Sequence, residues 1–596
     1  MISVAGRLAA TGHVGRRNAT TGAECSTGAA RGRPAESAPP ADFTIMYARR
    51  MIFPGRTRPG RRALAGSTAL AGLAVAAVVA GLVMIEPVPT GGDSAFVGGV
   101  EVAPTAVPTR AASPSPSPTP TPARPVASAL VPVVSFWSTR RDISRADVAA
   151  LWDGQPGAAV RTGFTRLLAP AGDEAELRAV FGAAHATAVS FQSPGQIKEA
   201  VKASAATLGL IPAEDVTPDV LALSMDGVSL FDSERIDDVT AWPLDVLSMT
   251  PSSFDPASVW TLAAGGDVNL AREVYVMSVT RQRGPDYPWS AGYAVIHGHD
   301  CCTVTGGPLL AAQPTGPGGA LRSLLSDANL AVVNLEGPAP DSYVNSRDSL
   351  NFTFDPALLK GLKDAGIDAV SLANNHIKNG GATGVVQTCQ NLDAIGLAHA
   401  GAGATATAAR QPVWLSADGL KIAFLAYSAV GTQNWASATT PGAAPLRLAD
   451  VQADIRAARA NGANIVIVMP HWGEEYSYAL NATQKGDAAA FVAAGADLVL
   501  GSHSHWVGGI ESIPGPDGPA FIEYSLGDFL FDLNHDTESQ EGVLETMTFS
   551  GTRLVQVSLQ PTIMISGARV GLLSPAGDGK TVLDAIHKAS RRLPGF

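Results

Sequence analysis

Seven apolar runs between residues 259 and 531 set the tightest limit on what this chain can become: "VWTLAAGGDV", "LAVVNLEG", "AVSLANNH", "IAFLAYS", "NIVIVMPHWG", "DLVLGSHSH" and "AFIEYSLGDFLF". Each has the length of a buried strand, and several follow helix-patterned segments such as "PALLKGLKDAGI" and "KGDAAAFVAAGA". Alternation of this sort builds a layered α/β fold, in which ligands collect outside the carboxyl ends of the strands.

All but one of these runs end in nitrogen or oxygen donors. "GGDVN" supplies Asp267 and Asn269; "NLEGP" supplies Asn334 and Glu336; "LANNH" supplies Asn374, Asn375 and His376. "MPHWGEEY" adds His471, Glu474 and Glu475, "GSHSH" adds His503 and His505, and "YSLGDF" adds Tyr524, Ser525 and Asp528. Singly, each has an ordinary explanation. Asp267 could cap a helix near Leu270, Asn375 and His376 could close a turn, and His471 beside Trp472 could be a packed interior residue. Six such ends after apolar runs point instead to one shared rim. Mixed imidazole, carboxylate and amide donors suit Zn, Fe or Mn. Alternate residues of an extended segment face the same way, so His503 and His505 are expected to turn inward together, one to each of two metals, with Ser504 aside.

At 596 residues the chain is too long for one core. Residues 1–62 are expected to be a disordered basic tail, and 63–85 an uncleaved transmembrane anchor. The run Ala63–Ile85 is uncharged, with Arg58, Arg61 and Arg62 before it and Glu86 after, so the arginine side stays in the cytoplasm. Residues 86–130, Pro-, Ser- and Thr-rich, read as an extended linker. Residues 131–255 alternate strand and helix patterns as a small α/β domain, whose segment 135–141 could form a ligand edge; residues 256–596 form the larger domain. The chain is thus expected to sit in the cell membrane by a single span, with its folded domains extracytoplasmic. Eleven arginines against Glu24, Glu36 and Asp42 give the first 62 residues +8, leaving −19 for the rest of a chain of net charge −11. A body of that sign lacks the clustered cations that grip phosphate backbones, which argues against nucleic acid as the main partner. Of the four cysteines, at most Cys389 could pair with Cys301 or Cys302, and free thiols are the simpler expectation. The insertion Arg281–Gly319, with "HGHDCC", reads as a flexible loop.

The ordered set "GGDVNL", "NLEGP", "GIDAVSLANNHIKNGG", "IVMPHWGEEY", "GADLVLGSHSHWVGGIE" and "YSLGDFLFD" resembles the motifs of the CapA family of poly-γ-glutamate capsule synthesis proteins, itself similar to calcineurin-like metallophosphoesterases. The resemblance covers about residues 258–565. It implies a sheet sandwich flanked by helices. It implies that Asp267 and His505 hold one divalent metal, that Asn375, His471 and His503 hold the other, that Glu336 bridges, and that His376 donates a proton or contacts phosphate. This sequence departs from the pattern at four places. Asn269 stands where phosphoesterases carry His, leaving the first metal one ligand short; Asn379 replaces an Asp, Ser504 a Pro, and Asp528 an Asn.

Together these features predict one or two divalent ions, Mn, Zn or Fe, in a metal-dependent phosphoesterase-like hydrolase or transferase. Its expected partner is an anionic cell-envelope polymer or a phosphorylated precursor, with capsule assembly implied by the resemblance alone. The alternative is a non-catalytic protein that binds such a polymer through a metal and assists its export.

Overall fold

The computed structural model describes residues 126–248, 252–299, 308–312, 319–347 and 349–596. The basic tail, the run Ala63–Ile85, residues 86–125 and Cys25, Asp300, Cys301 and Cys302 lie outside the described residues. Among the described residues no helix is long and apolar enough to cross a membrane.

The first strand, Val126–Ser135, begins inside the segment expected to be linker. It lies in a sheet ordered Val189–Gln192, Arg166–Pro170, Thr207–Pro212, Val126–Ser135, Val220–Ala222. Helix Arg145–Trp152 starts at a capped turn, with the Ser144 hydroxyl accepting the Asp147 N–H. Helix Pro194–Ala203 opens on a reciprocal Ser193 and Gln196 capping box.

Two further large sheets are built from residues 259–573. One runs Tyr293–His299, Arg569–Leu573, Arg553–Ile565, Glu541–Ser550, Val259–Val268, Leu330–Leu335, Ala369–Ser371, Ala398–Ala400, with Pro308–Ala312 at its outer edge and Asp528–Leu530 also paired to Val259–Val268. The other runs Val413–Ala417, Leu420–Ser428, Ile465–His471, Leu498–Leu500, Gly518–Glu523, Ile510–Gly515. Strand periodicity assigns the faces. Leu262, Ala264 and Val332 of the first sheet meet Phe424, Ile467, Met469 and Leu498 of the second in one buried layer. Ala263 and Val333 point the other way, against Leu359, Leu362, Val385 and Leu392 on helices Leu359–Ala365 and Gly381–Ile395. On the far side Val466 and Val468 pack on Val451, Ile455, Phe491 and Val492. The result is helices, sheet, sheet, helices. All seven predicted runs are strands, the last being divided into Gly518–Glu523 and Asp528–Leu530. The insertion is not simply a loop: Tyr293–His299 pairs in parallel with Arg569–Leu573.

The first sheet and these two belong to one compact unit, residues 115–596. Val259 and Val555 belong to the small domain's apolar core. Gln556 Oε1 accepts the Ala222 N–H at 2.8 Å, and the Arg553 guanidinium donates to the carbonyls of Val216 (2.7 Å) and Glu214 (2.9 Å).

Gly266 lets Asp528–Leu530 lie beside Val259–Val268, because a Cβ there would stand 1.9 Å from the Gly527 carbonyl oxygen. The same approach lets Asp267 N–H donate to Gly527 O at 3.0 Å and sets Asp528 opposite Asp267. Gly266→Ala is therefore expected to destabilise the protein by about 1–3 kcal/mol, read as a lower midpoint in urea unfolding.

Candidate metal centre

Parallel pairing of Val259–Val268 with Leu330–Leu335 and Asp528–Leu530 delivers Asp267, Glu336 and Asp528 to one end of the first sheet. The second sheet delivers His471 at the end of its strand and the loop 501–506 after Leu498–Leu500. All seven residues singled out from the sequence as ligands or catalytic group meet there. Asp267 Oδ1 accepts from Asn334 Nδ2 at 2.7 Å, and its Oδ2 accepts the His503 backbone N–H at 3.0 Å. The ligand-bearing atoms of Asp267, Glu336 and His471 lie within 4.8 Å of one another, as do those of Asp267, His505 and Asp528. His471 Nε2 lies 2.9 Å from Asn375 Oδ1 and 3.9 Å from Glu336 Oε1, while Ser502 Oγ holds its Nδ1 at 2.9 Å. The His471 and His503 ring centres are 4.6 Å apart. His376 Nε2 is 3.8 Å from Glu336 Oε1, and its Nδ1 is 3.1 Å from Asn379 Oδ1.

The histidine doublet does turn inward, but not by extended alternation. His503 has φ 96° and His505 φ 61°, left-handed conformations that cost of order 1–3 kcal/mol each and gather at functional sites. Ser504 is turned aside, its hydroxyl donating to the Trp506 carbonyl at 2.7 Å.

Charge in this cluster is poorly compensated. Glu336 is fully buried, and neither of its carboxylate oxygens has a hydrogen-bond partner; His503 Nδ1 and Asp528 Oδ2 are likewise unpartnered. Burial first, then the neighbouring Asp267, holds the Glu336 carboxyl well above the usual carboxylate range. Burial holds His471 well below the ordinary imidazole value and takes His503 down to about 3 and His376 to about 4. His505 goes the other way: burial opposes its charge, but Asp528, Glu336 and Asp267 override that and raise it to about 10. Neutral imidazoles on one side and carboxylates on the other, several with free lone pairs, are a donor set that fits divalent cations.

Three residues outside the expected ligand set also join the cluster. Asn334 ties Asp267 to His471, whose Nδ1 is 3.3 Å from Asn334 Nδ2. Tyr476 stacks on His505 at 5.5 Å. Asp528 Oδ1 is 2.9 Å from His505 Nδ1. Asn334 and Asp528 had been visible as strand-end donors; Tyr476 carried no such signal. Asn269, fully buried, spends its carbonyl on the Ala271 N–H at 2.9 Å.

Beside the cluster opens a polar cleft of about 540 Å³ whose walls include Asn351, Asn375, His376, Lys378, Asn434 and Glu475. A second cavity, about 570 Å³, lies far from this chemistry and is lined by Ser135, Trp137, Ser138, Lys202, Asp219 and His587. Part of the segment expected as a ligand edge therefore does face a cavity. Its arginines are not among the walls of that cavity: Arg140 donates to the Thr162 carbonyl and Arg141 to those of Ser138 and Leu559. Among the described residues Cys389 has no disulfide partner.

Two facing sheets between helix layers, with carboxylates and imidazoles converging from strand ends, define a layered α/β sandwich with a candidate metal centre on its rim. Residues 261–533 match the family described as "Bacterial capsule synthesis protein PGA_cap". This stretch of the chain is thus similar to the CapA capsule-synthesis proteins. It is 32% identical over 207 residues to "PGA biosynthesis protein CapA" of Bacillus subtilis (strain 168), covering 33% of this chain and 52% of that protein. It is 29% identical over 195 residues to "Capsule biosynthesis protein CapA" of Bacillus anthracis, covering 32% and 46%. The chain thus spans about half the length of these two relatives. Among solved structures, the calcineurin-like phosphoesterase YfkN from Bacillus subtilis is similar at 12% identity and a TM-score of 0.25, covering 56% of this chain and 96% of that one.

Proposed function

We propose that this chain is a membrane-anchored, extracytoplasmic protein of capsule or related envelope-polymer synthesis, and that its buried cluster is a divalent metal centre for hydrolysis or group transfer. The anchor would be Ala63–Ile85. The observation that carries the reading is Glu336, a fully buried carboxylate with both oxygens unpartnered among neighbouring imidazoles. An isolated buried charge costs several kcal/mol, and a cation removes that cost. Asp267 and His505 would hold one ion and Asn375, His471 and His503 the other, with Glu336 between them. Such ions supply Lewis-acid polarisation of a phosphoryl or carbonyl oxygen.

The protein's own residues would do the rest. Asn379 fixes the His376 ring through Nδ1, leaving Nε2 toward Glu336. Burial keeps this imidazole neutral at pH 7. An anionic group entering the cleft raises its proton affinity, so Nε2 takes up a proton there and delivers it to the leaving oxygen. Lys378 on the cleft wall offers a cation for the anionic polymer or its phosphorylated precursor.

One observation favours the second reading, a non-catalytic polymer-binding or export accessory: the Asn269 side-chain oxygen is already engaged by the Ala271 N–H, and an amide is a weaker ligand than the imidazole it replaces. Elemental analysis of the purified full chain is expected to find Mn, Zn or Fe, with His471→Ala losing one ion and its phosphodiester cleavage. Should metal be present and polymer binding need His471 while cleavage never exceeds the metal-in-buffer background, the accessory reading stands and the enzyme falls.

A further inference from the structure

If the cluster is a metal centre as proposed above, its first site has a ligand that the resemblance does not supply. We infer that Asp528 is a ligand of the first ion, occupying the coordination place that Asn269 gives up, and that it makes this site oxygen-rich and Mn-selective.

Three observations converge. His505 Nδ1 faces two carboxylate oxygens at once, Asp528 Oδ1 at 2.9 Å and Asp267 Oδ2 at 3.8 Å. Donors sharing an ion at about 2.0–2.2 Å stand roughly 3–3.5 Å apart; the two distances bracket that spacing, and a ligand atom from each of the three residues lies within 4.8 Å of the others, so small side-chain shifts bring them into one coordination sphere. The second oxygen, Asp528 Oδ2, is buried and unpartnered. Third, the backbone fixes the pair: Asp528 sits opposite Asp267 in parallel register, an approach that Gly266 permits.

Asn269 shows why the substitution works. Its Oδ1 is engaged by the Ala271 N–H and its amide nitrogen, which has no lone pair to give a metal, is left unpartnered, so its side chain is a poor replacement for an imidazole. The strand that sits against Val259–Val268 from the opposite end of the sequence brings in a carboxylate instead. Replacing an imidazole by a carboxylate changes the site's character. Asp267, Asp528 and Glu336 with one imidazole, His505, make a hard set that suits Mn²⁺; His471, His503 and the Asn375 carbonyl make a softer one that suits Zn²⁺ or Fe²⁺.

The test is competitive binding of Mn²⁺ and Zn²⁺ to metal-stripped full chain, followed by calorimetry and elemental analysis. Wild type is expected to hold two ions, one preferring Mn²⁺. Asp528→Asn, the same size and able to fold, is expected to weaken Mn²⁺ at that site at least tenfold with little change for Zn²⁺ at the other. Adding Asn269→His in the same chain is expected to restore a second ion, now preferring Zn²⁺. Equal weakening of both metals would make Asp528 only a positioning residue for His505 and overturn the inference, as would unchanged binding in Asp528→Asn. A wild-type chain that binds no ion would instead overturn the reading of the cluster as a metal centre.

Discussion

His376→Ala is expected to reduce turnover by about 10²–10⁴-fold while leaving the metal content of the protein unchanged. The two halves of that result come from different atoms. The imidazole stands 3.8 Å from Glu336 through Nε2 and is held from behind by Asn379 and by Phe352, whose ring centre is 4.5 Å away. It lies on the wall of the open cleft, whereas Asp267 and His471 are completely buried. Proton delivery is therefore lost with it, and ion binding is not. Elemental analysis alongside kcat/KM separates the two, and a loss smaller than about threefold would remove His376 from the reaction.

Glu545→Gln is expected to stabilise the protein at pH 8 by on the order of a few kcal/mol, with no gain at pH 4.5. Glu523 and Glu545 face one another from opposite sheets, both fully buried, and neither oxygen of Glu545 receives an N–H or a hydroxyl, so its one hydrogen-bonding neighbour is the Glu523 carboxyl. Burial raises the Glu545 carboxyl to about 8, and burial together with Glu545 holds Glu523 well above the usual range. The folded chain thus keeps a proton that the unfolded chain releases above about pH 4.5. Stability from this group is complete below that pH and is lost as pH rises through about 8. Glutamine imitates the protonated form at every pH. Thermal melts of both proteins from pH 4.5 to 8.5 should converge at the acid end and part at the alkaline end; parallel curves would mean that the carboxyl is not held protonated.

How much of this was readable in advance depends on the range of the interaction involved. Strands such as Ile465–His471 announce themselves because both faces are buried, so the apolar run is unbroken. Ser144 and Ser193 mark helix starts through bonds three residues away. The ligand positions were legible too, since a donor after an apolar run lands on the same rim whichever strand carries it. The link between Asp528 and His505 was not, because it depends on which strand lies beside Val259–Val268, a pairing across more than half of the domain. Nor was the backbone of His503 and His505: a residue with φ above zero leaves no mark in sequence unless it is glycine. Tyr293–His299 escaped for a third reason. Its "HGH" carries little apolar pattern, and it is a strand only because Arg569–Leu573 offers it a partner.

The placement of Glu541–Ser550 bears on how the chain can be divided. That strand pairs with Val259–Val268 over six residue pairs, yet it begins beyond residue 533, where the family match ends. Arg553–Ile565, next in line, also carries the residues that grip the small domain. A fragment cut to the matched stretch would leave the central ribbon of its sheet with bare amide and carbonyl groups and uncovered valines, a template for aggregation. Evolutionary kinship and physical autonomy thus have different borders in this molecule.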